Sequence, residues 1–462
     1  MRYLTKSRFR QAIECPTKLY YTKKDSIYAN VKLDDNFLKT LADGGFQVEE
    51  LARLHYPNGV LIEDDRSAKD YYEHSLKITN KHLQKKEVTL YEAAFKFEKL
   101  FIRTDILIKK GNKVKLVEVK AKSFNSKEPH VFISNKGKIN SSWKPYIYDL
   151  AFQKYVLKQA YPEFEVSAFL MMADKSKKAS IDGLNQLFRI TNNDKRTGID
   201  TMVDSIELTG DSVLGEVNVD YVLNLIYADG DRIYDNMNFH EMIKIFSSKY
   251  SKDEKINWPI GWHCKNCEFK TNKEEKSELR SGFKECWKEQ SNLLDNQFNE
   301  PNIFDLWNFR SGKKILSTGK FLLRDLNEYD IGTATKAEGF STQHRQWVQV
   351  EKTLELNTKG HADFVLFRED LKNEMNKWKF PLHFIDFETS SAALPFTKGR
   401  RPYEQVAFQY SHHSIDESGK ITHSSQYIDL EPGKFPNFDF VRALKKSLSN
   451  DDGTIFKYAK HE

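Results

Sequence analysis

Two strand-like segments on either side of a tight turn restrict the fold of this chain more than any other feature. The segments span residues 100–108 and 113–121, and the turn between them is Lys110-Gly111-Asn112. A loop of this composition is a natural hairpin turn. The sequence therefore predicts a β-hairpin centred on Gly111, and any fold of the chain must accommodate it.

Three ionisable side chains meet on this hairpin. Glu118 and Lys120 lie two residues apart and point to the same face of a strand. The turn folds Asp105 back beside them. Two carboxylates can hold a magnesium ion, which polarises a phosphate and acidifies a bound water, and a lysine can orient that water or stabilise the developing charge. The pattern indicates phosphodiester hydrolysis, and the alternative is the wet face of an amphipathic hairpin.

Other segments around the hairpin have helical or strand periodicity. The predicted helices are 7–14, one through Val48, Leu51, Ala52 and His55, and 146–160, and the predicted strands are 89–97 and 166–172. Pro16 and Pro162 end two of these helices, since proline disfavours their continuation. Residues 175–260 are more polar, with helices near 219–226 and 239–246. A short cysteine module at 264–287 and a largely helical connector follow, and a new strand begins at 382.

Charge and length restrict the class of protein. A chain of 462 residues is expected to form two or three domains. It has neither an apolar run of membrane-spanning length nor a signal-like N-terminus, so we expect a cytoplasmic protein with no membrane partner. The net charge is +6, yet residues 109–144 contain ten lysines against two acids. Such a stretch either gathers phosphates by counterion release or is a solvated lysine-rich surface.

The chain contains only four cysteines, Cys15, Cys264, Cys267 and Cys286. A Cys-x-x-Cys pair in a cytoplasmic protein favours a metal or redox role over disulfides. Four thiolates satisfy either tetrahedral zinc or a four-iron cluster. Ordinary buried thiols are the alternative for the pair taken alone.

An ordered set of motifs extends over residues 1–290. The set comprises residues 4–9, 15–21 and 45–49, Glu92, Asp105, Glu118-Val119-Lys120, Gln153, Cys264-Lys265-Asn266-Cys267 and Cys286. It resembles the RecB-like nucleases of the PD-(D/E)xK type, especially the CRISPR-associated iron–sulfur exonucleases. The resemblance implies a restriction-endonuclease-like mixed sheet flanked by helices, and a DNA exonuclease that acts on single strands or free ends.

The resemblance also implies a role for each matched residue. Asp105 and Glu118 correspond to ligands of Mg²⁺ or Mn²⁺, and Lys120 corresponds to the catalytic lysine. Gln153 matches a helical glutamine that holds the active site or the nucleic acid, and Glu92 is a supporting residue. The four cysteines correspond to ligands of a structural [4Fe-4S] cluster, with Zn²⁺ as the alternative.

Two positions depart from the family pattern. The family has a histidine four residues after the glycine matched by Gly45, and this chain has Glu49 there. A glutamate can still bind a divalent ion, so Glu49 is a candidate metal ligand. The tyrosine expected four residues after Gln153 is Leu157, which removes one contact that the family makes to nucleic acid.

A second acidic pair lies in the strand Phe384-Ile385-Asp386-Phe387-Glu388-Thr389, where Asp386 and Glu388 share one face. Strands at 406–410, 424–428 and 454–458 and a helix at 438–448 are predicted after it. The arrangement resembles the first motif of DnaQ-like (DEDD) exonucleases of the ribonuclease H fold, which implies metal binding by both acids. The second acidic motif would begin at His461-Glu462, so we expect a truncated domain without independent catalysis.

The sequence therefore predicts an α/β protein with three parts. These are a PD-(D/E)xK nuclease domain with a four-cysteine cluster at 1–290, a helical connector at 291–378, and a partial ribonuclease H-like domain at 379–462. The predicted function is that of a divalent-metal-dependent DNA nuclease, a phosphodiester hydrolase. The alternatives are a catalytically degenerate nucleic-acid-binding module and a zinc-stabilised interaction scaffold.

Overall fold

The computed structural model of the chain describes residues 2–33, 36–63, 70–128, 131–193, 196–271, 278–332, 341–359 and 366–457. Helices and open, mixed sheets are both present, so the predicted α/β class is confirmed at that level. The helices are α1 (Lys6–Glu14), α2 (Lys18–Tyr21), α3 (Asn36–Leu54), α4 (Tyr71–Leu83), α5 (Lys144–Ala160), α6 (Asp220–Tyr227), α7 (Phe239–Ser251), α8 (Gly282–Gln290), α9 (Gly312–Leu316), α10 (Glu328–Ile331), α11 (Thr342–Lys359), α12 (Arg368–Met375) and α13 (Asn437–Leu448). The strands are β1 (Leu4–Thr5), β2 (Val60–Leu61), β3 (Glu87–Phe97), β4 (Leu100–Lys110), β5 (Lys113–Phe124), β6 (Glu165–Asp174), β7 (Phe188–Asn193), β8 (Arg196–Thr201), β9 (Leu214–Asn218), β10 (Leu382–Ser390), β11 (Val406–Ile415), β12 (Ile421–Ile428) and β13 (Ile455–Phe456).

The chain forms two compact units. One, here called the cysteine unit, comprises Met1–Asn36 and His240–Leu366. The other, here called the sheet unit, comprises Phe37–Phe239 and Phe367–Glu462. The domain boundaries predicted at 290 and 378 stay predictions.

The main sheet of the sheet unit has the order β2-β3-β4-β5-β6-β9. Strands β3, β4 and β5 are antiparallel neighbours, and Gly111 in the turn between β4 and β5 has a φ of 60°, as the hairpin requires. Strand β6 runs parallel to β5, and a parallel pair needs a crossover connection. Helix α5 provides it, with Ile147, Leu150 and Phe152 fully buried.

A second, C-terminal sheet lies in the same unit and has the order β12-β11-β10-β13. Helix α13 covers one face, where the Phe440 ring packs edge-on against Phe387, Tyr410 and Tyr427. The predicted strands and helix of this segment are therefore confirmed as β10, β11, β12 and α13. The predicted strand at 454–458 is present as β13, and its last residue, Tyr458, lies outside the described residues, as do His461 and Glu462.

The loop between β10 and β11, residues 391–405, packs into the sheet unit. Leu394 is completely buried, in the same apolar cluster as Val117 and Val119 of β5. Backbone hydrogen bonds join this loop to Ala179, whose N–H donates to the Arg400 carbonyl at 2.9 Å. The loop was not predicted to have this role, and it fastens the C-terminal segment to the main sheet.

We expect Leu394→Ala to destabilise the sheet unit by about 2–5 kcal/mol, because it removes a buried leucine side chain and leaves a cavity. Urea unfolding monitored by circular dichroism measures the change. Leu430→Ala is the matched control, since Leu430 is 69% exposed and its loss should change the free energy of unfolding by less than about 0.5 kcal/mol. Equal effects of the two substitutions would contradict the packing of this loop.

Candidate functional site

Three carboxylate residues lie on the neighbouring strands β3, β4 and β5. The β4–β5 register ends at Ile106↔Val117, and Asp105 and Glu118 are the next residues beyond it. Glu92 lies between Tyr91 and Ala93, which pair with the residues on either side of Asp105, and it has a φ of 56°, in the left-handed region that non-glycine residues rarely adopt. The backbone N–H of Val119 donates to Asp105 Oδ2 at 2.8 Å, so this carboxylate is held against β5.

Lys120 and Gln153 complete this cluster. The Lys120 ammonium is hydrogen-bonded to Glu118 Oε1 and lies 3.9 Å from Asp105 Oδ2. Gln153 Nε2, from α5, donates to Glu118 Oε2 at 2.8 Å. Glu118 and Gln153 are both completely buried. The structure therefore brings together four of the five residues predicted for the catalytic centre of the first domain, Asp105, Glu118, Lys120 and Gln153.

A partly buried arginine that the sequence analysis did not identify, Arg53, connects Glu49 with Glu92. Arg53 of α3 is hydrogen-bonded to Glu49 and Glu50, four and three residues earlier on the same helix. Its Nη2 also lies 3.8 Å from Glu92 Oε1. Arg103 of β4 donates from Nε to Glu92 Oε2 at 3.1 Å. The helical spacing of Glu49 and Arg53 was a signal for an ion pair, but not for its place beside the sheet.

The positive charge of Arg53 only partly offsets the effects of burial and of neighbouring carboxylates on Glu49. Burial, followed by repulsion from Asp105, raises the pKa of Glu49 from 4.5 to about 8, although Arg53 opposes the shift. Burial alone would lower the pKa of Arg53, but Glu49, Glu50 and Glu92 together raise it. The electrostatic coupling of Glu49 with Asp105 indicates that these carboxylates belong to one acidic group, to which a cation would be attracted.

The four cysteines line one cavity of the cysteine unit, with a volume of about 30 Å³. Cys15 caps the C-terminal end of α1, Cys264 and Cys267 belong to a tight turn in which Cys267 N–H donates to the Cys264 carbonyl, and Cys286 lies in α8. The hydroxyl of Tyr21 lies 3.2 Å from Cys286 Sγ. The fold therefore places one thiol from the N-terminal segment beside three thiols that are about 250 residues away in the sequence.

Burial raises the pKa of all four thiols. It raises the pKa of Cys15 to about 11 and that of Cys267 to about 12. Lys18, on the cavity wall, is itself buried and ion-paired with Glu14 and Glu268 at 2.7 and 2.6 Å. A metal bound by these thiols would have to displace their protons, as thiolate sites in general do.

Asp386 and Glu388 lie on the exposed face of β10, in the C-terminal sheet, opposite Ser411 and Gln409 of β11. They lie in a different sheet from Glu92, Asp105 and Glu118. Over the described ranges of the chain, no three His, Cys, Asp or Glu side chains form a group already placed to hold a metal ion. The predicted cofactors, Mg²⁺ or Mn²⁺ and the [4Fe-4S] cluster or Zn²⁺, therefore stay predictions.

The lysine-rich stretch at 109–144 is largely engaged in internal contacts. Lys115 pairs with Glu216 at 2.5 Å, and Lys144 pairs with Asp231 at 2.7 Å. The Lys122 ammonium lies 4.6 Å from the centre of the Trp143 ring and 5.1 Å from that of Tyr146. Net charge alone therefore overstates the positive charge that this stretch offers to a phosphate backbone.

Comparison with known families gives a match over the C-terminal segment. Residues 383–462 are similar to a family described as a domain of unknown function, DUF2779. Neither the curated proteins nor the solved structures contain a match to the chain. The family match coincides with the segment predicted to be DnaQ-like and carries no activity with it. Within the described helices, none is both long and apolar enough to cross a membrane.

The raised pKa of Glu49 predicts how the stability of the fold depends on pH. Because its pKa of about 8 in the folded protein lies above the ordinary 4.5, the folded chain holds a proton there that the unfolded chain has lost. Stability should therefore fall as pH rises from about 4.5 to about 8. Glu49→Gln cannot ionise, so its melting temperature relative to wild type should rise across this window.

Thermal melts at several pH values measure this difference. Glu128→Gln serves as the control, because Glu128 is exposed in a loop and its substitution should leave the pH profile of the wild type unchanged. Parallel pH profiles for wild type and Glu49→Gln would contradict the raised pKa.

Proposed function

We propose that this protein is a divalent-metal-dependent DNA nuclease whose centre is formed by Asp105, Glu118, Lys120 and Gln153. One observation carries the proposal: a buried carboxylate, Glu118, is held by both Gln153 and Lys120, while Lys120 also contacts Asp105. Burying a carboxylate seldom stabilises a fold, so a charged cluster of this kind is typical of a functional site.

The donor set fits a Mg²⁺ or Mn²⁺ ion. Two carboxylates, with Glu49 electrostatically coupled to one of them, offer oxygen ligands of the kind that these ions prefer. Mg²⁺ commonly binds through one or two carboxylates, and water and substrate phosphates complete its coordination. When bound, such an ion polarises the phosphate and makes its bound water more acidic.

The chain's own residues have distinct tasks in this proposal. Asp105 and Glu118 hold the ion, and Gln153 fixes the orientation of Glu118 from helix α5. Lys120 stabilises negative charge that develops on the phosphate or orients the attacking water. Arg53 positions Glu49 and Glu92 at the rim of the site and balances their charge.

The topology supports the same proposal. The sheet unit contains helix α3, the antiparallel strands β3, β4 and β5, the crossover helix α5 and the parallel strand β6. This arrangement agrees with the mixed sheet flanked by helices that the RecB-like resemblance implies. In the C-terminal sheet, β10, β11 and β12 are antiparallel, and β13 pairs with β10 in parallel. This topology supports the proposed ribonuclease H-like relationship. Exonuclease action on free ends or single strands rests on the resemblance alone.

We also propose that the four cysteines hold a structural [4Fe-4S] cluster, with Zn²⁺ as the alternative. The convergence of all four thiols on one cavity supports this assignment. Such a site would join the N-terminal helix α1 to α8 through Cys15 and Cys286 and so stabilise the cysteine unit.

Cleavage of end-labelled single- and double-stranded DNA by anaerobically purified protein tests the nuclease. Glu118→Ala should abolish metal-dependent cleavage, since it removes a metal ligand and leaves Lys120 and Gln153 without their partner. Lys120→Met should lower the cleavage rate by about 10²–10³-fold, the usual cost of removing one group that stabilises charge in the transition state. Glu128→Gln, an exposed position near the same strand, should retain full activity.

The outcomes separate the candidate functions. Cleavage that survives in Glu118→Ala but is lost in the double variant Asp386→Ala, Glu388→Ala would move the centre to the C-terminal sheet. Absence of cleavage by every variant, with salt-sensitive DNA binding by the wild type, would favour a degenerate nucleic-acid-binding module.

Visible absorption and metal analysis test the cysteine site. A [4Fe-4S] protein should be brown, and Cys267→Ser should lose both the colour and part of the thermal stability. A colourless protein with one zinc per chain, lost in Cys267→Ser, would favour Zn²⁺. Equal metal content in wild type and Cys267→Ser would contradict both assignments.

A further inference from the structure

Two histidines face each other on the exposed side of the C-terminal sheet. His413 of β11 and His423 of β12 are directly opposite in the antiparallel register. Both side chains are exposed, and their rings lie edge to face with centroids 4.8 Å apart. The shortest contact joins His413 Nε2 to His423 Nδ1 at 3.3 Å. Neither residue has a part in the nuclease proposal.

Neighbouring side chains orient one of these rings. His423 Nε2 lies 3.1 Å from Gln426 Oε1, and a carbonyl oxygen can only accept a hydrogen bond. The neutral His423 ring therefore carries its proton on Nε2, and its Nδ1 lone pair faces His413. On the other ring, His413 Nδ1 lies 3.5 Å from the hydroxyl of Ser411, which can accept a hydrogen bond from it.

With these tautomers, His413 Nε2 and His423 Nδ1 each carry a lone pair, and the two atoms lie 3.3 Å apart. The distance of 3.3 Å is longer than a normal N–H···N hydrogen bond. It agrees with two nitrogens bound at about 2.0–2.1 Å to one tetrahedral ion, for which the expected separation is about 3.3–3.4 Å. The two strands therefore hold the rings at the spacing of a metal chelate without any rearrangement of the backbone.

We propose that His413 and His423 form a binding site for a late first-row divalent ion, Zn²⁺, Cu²⁺ or Ni²⁺. Imidazole nitrogen favours these ions over Mg²⁺, which selects oxygen ligands. Gln426 orients His423 through its second ring nitrogen, as outer-sphere partners of metal-binding histidines do. The site has two protein ligands, so its other coordination positions are open to water or to an oxygen ligand from solution.

The buried histidine pair in the same sheet is of a different kind. His383 Nδ1 lies 2.9 Å from His412 Nε2, and His383 Nε2 lies 2.9 Å from Asp451 Oδ1. Both rings are almost fully buried, so this chain of hydrogen bonds belongs to the interior of the sheet. The exposed pair alone can bind an ion from solution without disturbing the fold.

Equilibrium dialysis of the untagged full-length chain against Zn²⁺ tests the proposal. We expect wild type to bind one ion more than His413→Ala or His423→Ala, or to bind that ion at least about tenfold more tightly. His74→Ala is the matched control, because His74 is an exposed histidine on another element. Circular dichroism of each variant verifies that the exposed substitutions leave the fold intact.

Electron paramagnetic resonance of bound Cu²⁺ provides a second measurement. Two nitrogen couplings should be present in the wild type and absent from both pair variants, and thiolate binding at the four cysteines would give a different spectrum. Equal metal uptake by wild type and both pair variants, or loss in only one of the two, would overturn the proposal. The Glu118→Ala variant should retain this site, so failure of the nuclease and failure of the histidine site are distinguishable.

Discussion

A buried carboxylate costs several kcal/mol unless it is paired and hydrogen-bonded, and Glu118 is completely buried on an inner strand of the main sheet. Its two oxygens are held by Gln153 and Lys120. This requirement restricts much of the surrounding structure, because α5 must cross the sheet where Gln153 can reach β5. The need to pair Glu118 also requires Lys120 on the same face of β5. The parallel β5–β6 pair and the position of the crossover helix are both compatible with it.

Local patterns made the hairpin predictable. Alternation with a period of two and a turn at Gly111 are sufficient to place Asp105 near Glu118 and Lys120. The role of Glu49 was predicted from the resemblance, and Arg53 was missed. The approach of both residues to the sheet depends on the packing of α3, which is far from β3 in the sequence. Strands β7, β8 and β9 were also missed. They are short and polar, and segment 175–260 has no strong periodicity from which to find them.

Charge and the cysteines likewise have features that the local sequence predicts and features that depend on the tertiary fold. The sequence showed ten lysines between 109 and 144, but ion pairs such as Lys144–Asp231 depend on tertiary contacts that a charge count does not contain. The four cysteines could be recognised as a set, and their convergence on one cavity is a property of the fold. Asp386 and Glu388 were correctly expected on one strand face. Whether they bind a metal depends on groups beyond that strand, which local pattern does not supply.

The loop at 391–405 also bears on how the gene could have been assembled. The segment that matches a family model begins at residue 383, yet Leu394 within it completes an apolar cluster of the main sheet. A recombination event that exchanged this segment would remove a buried leucine from one protein and introduce an unmatched one into another. Replacement of this segment by an unrelated one would therefore require matching changes in strand β5.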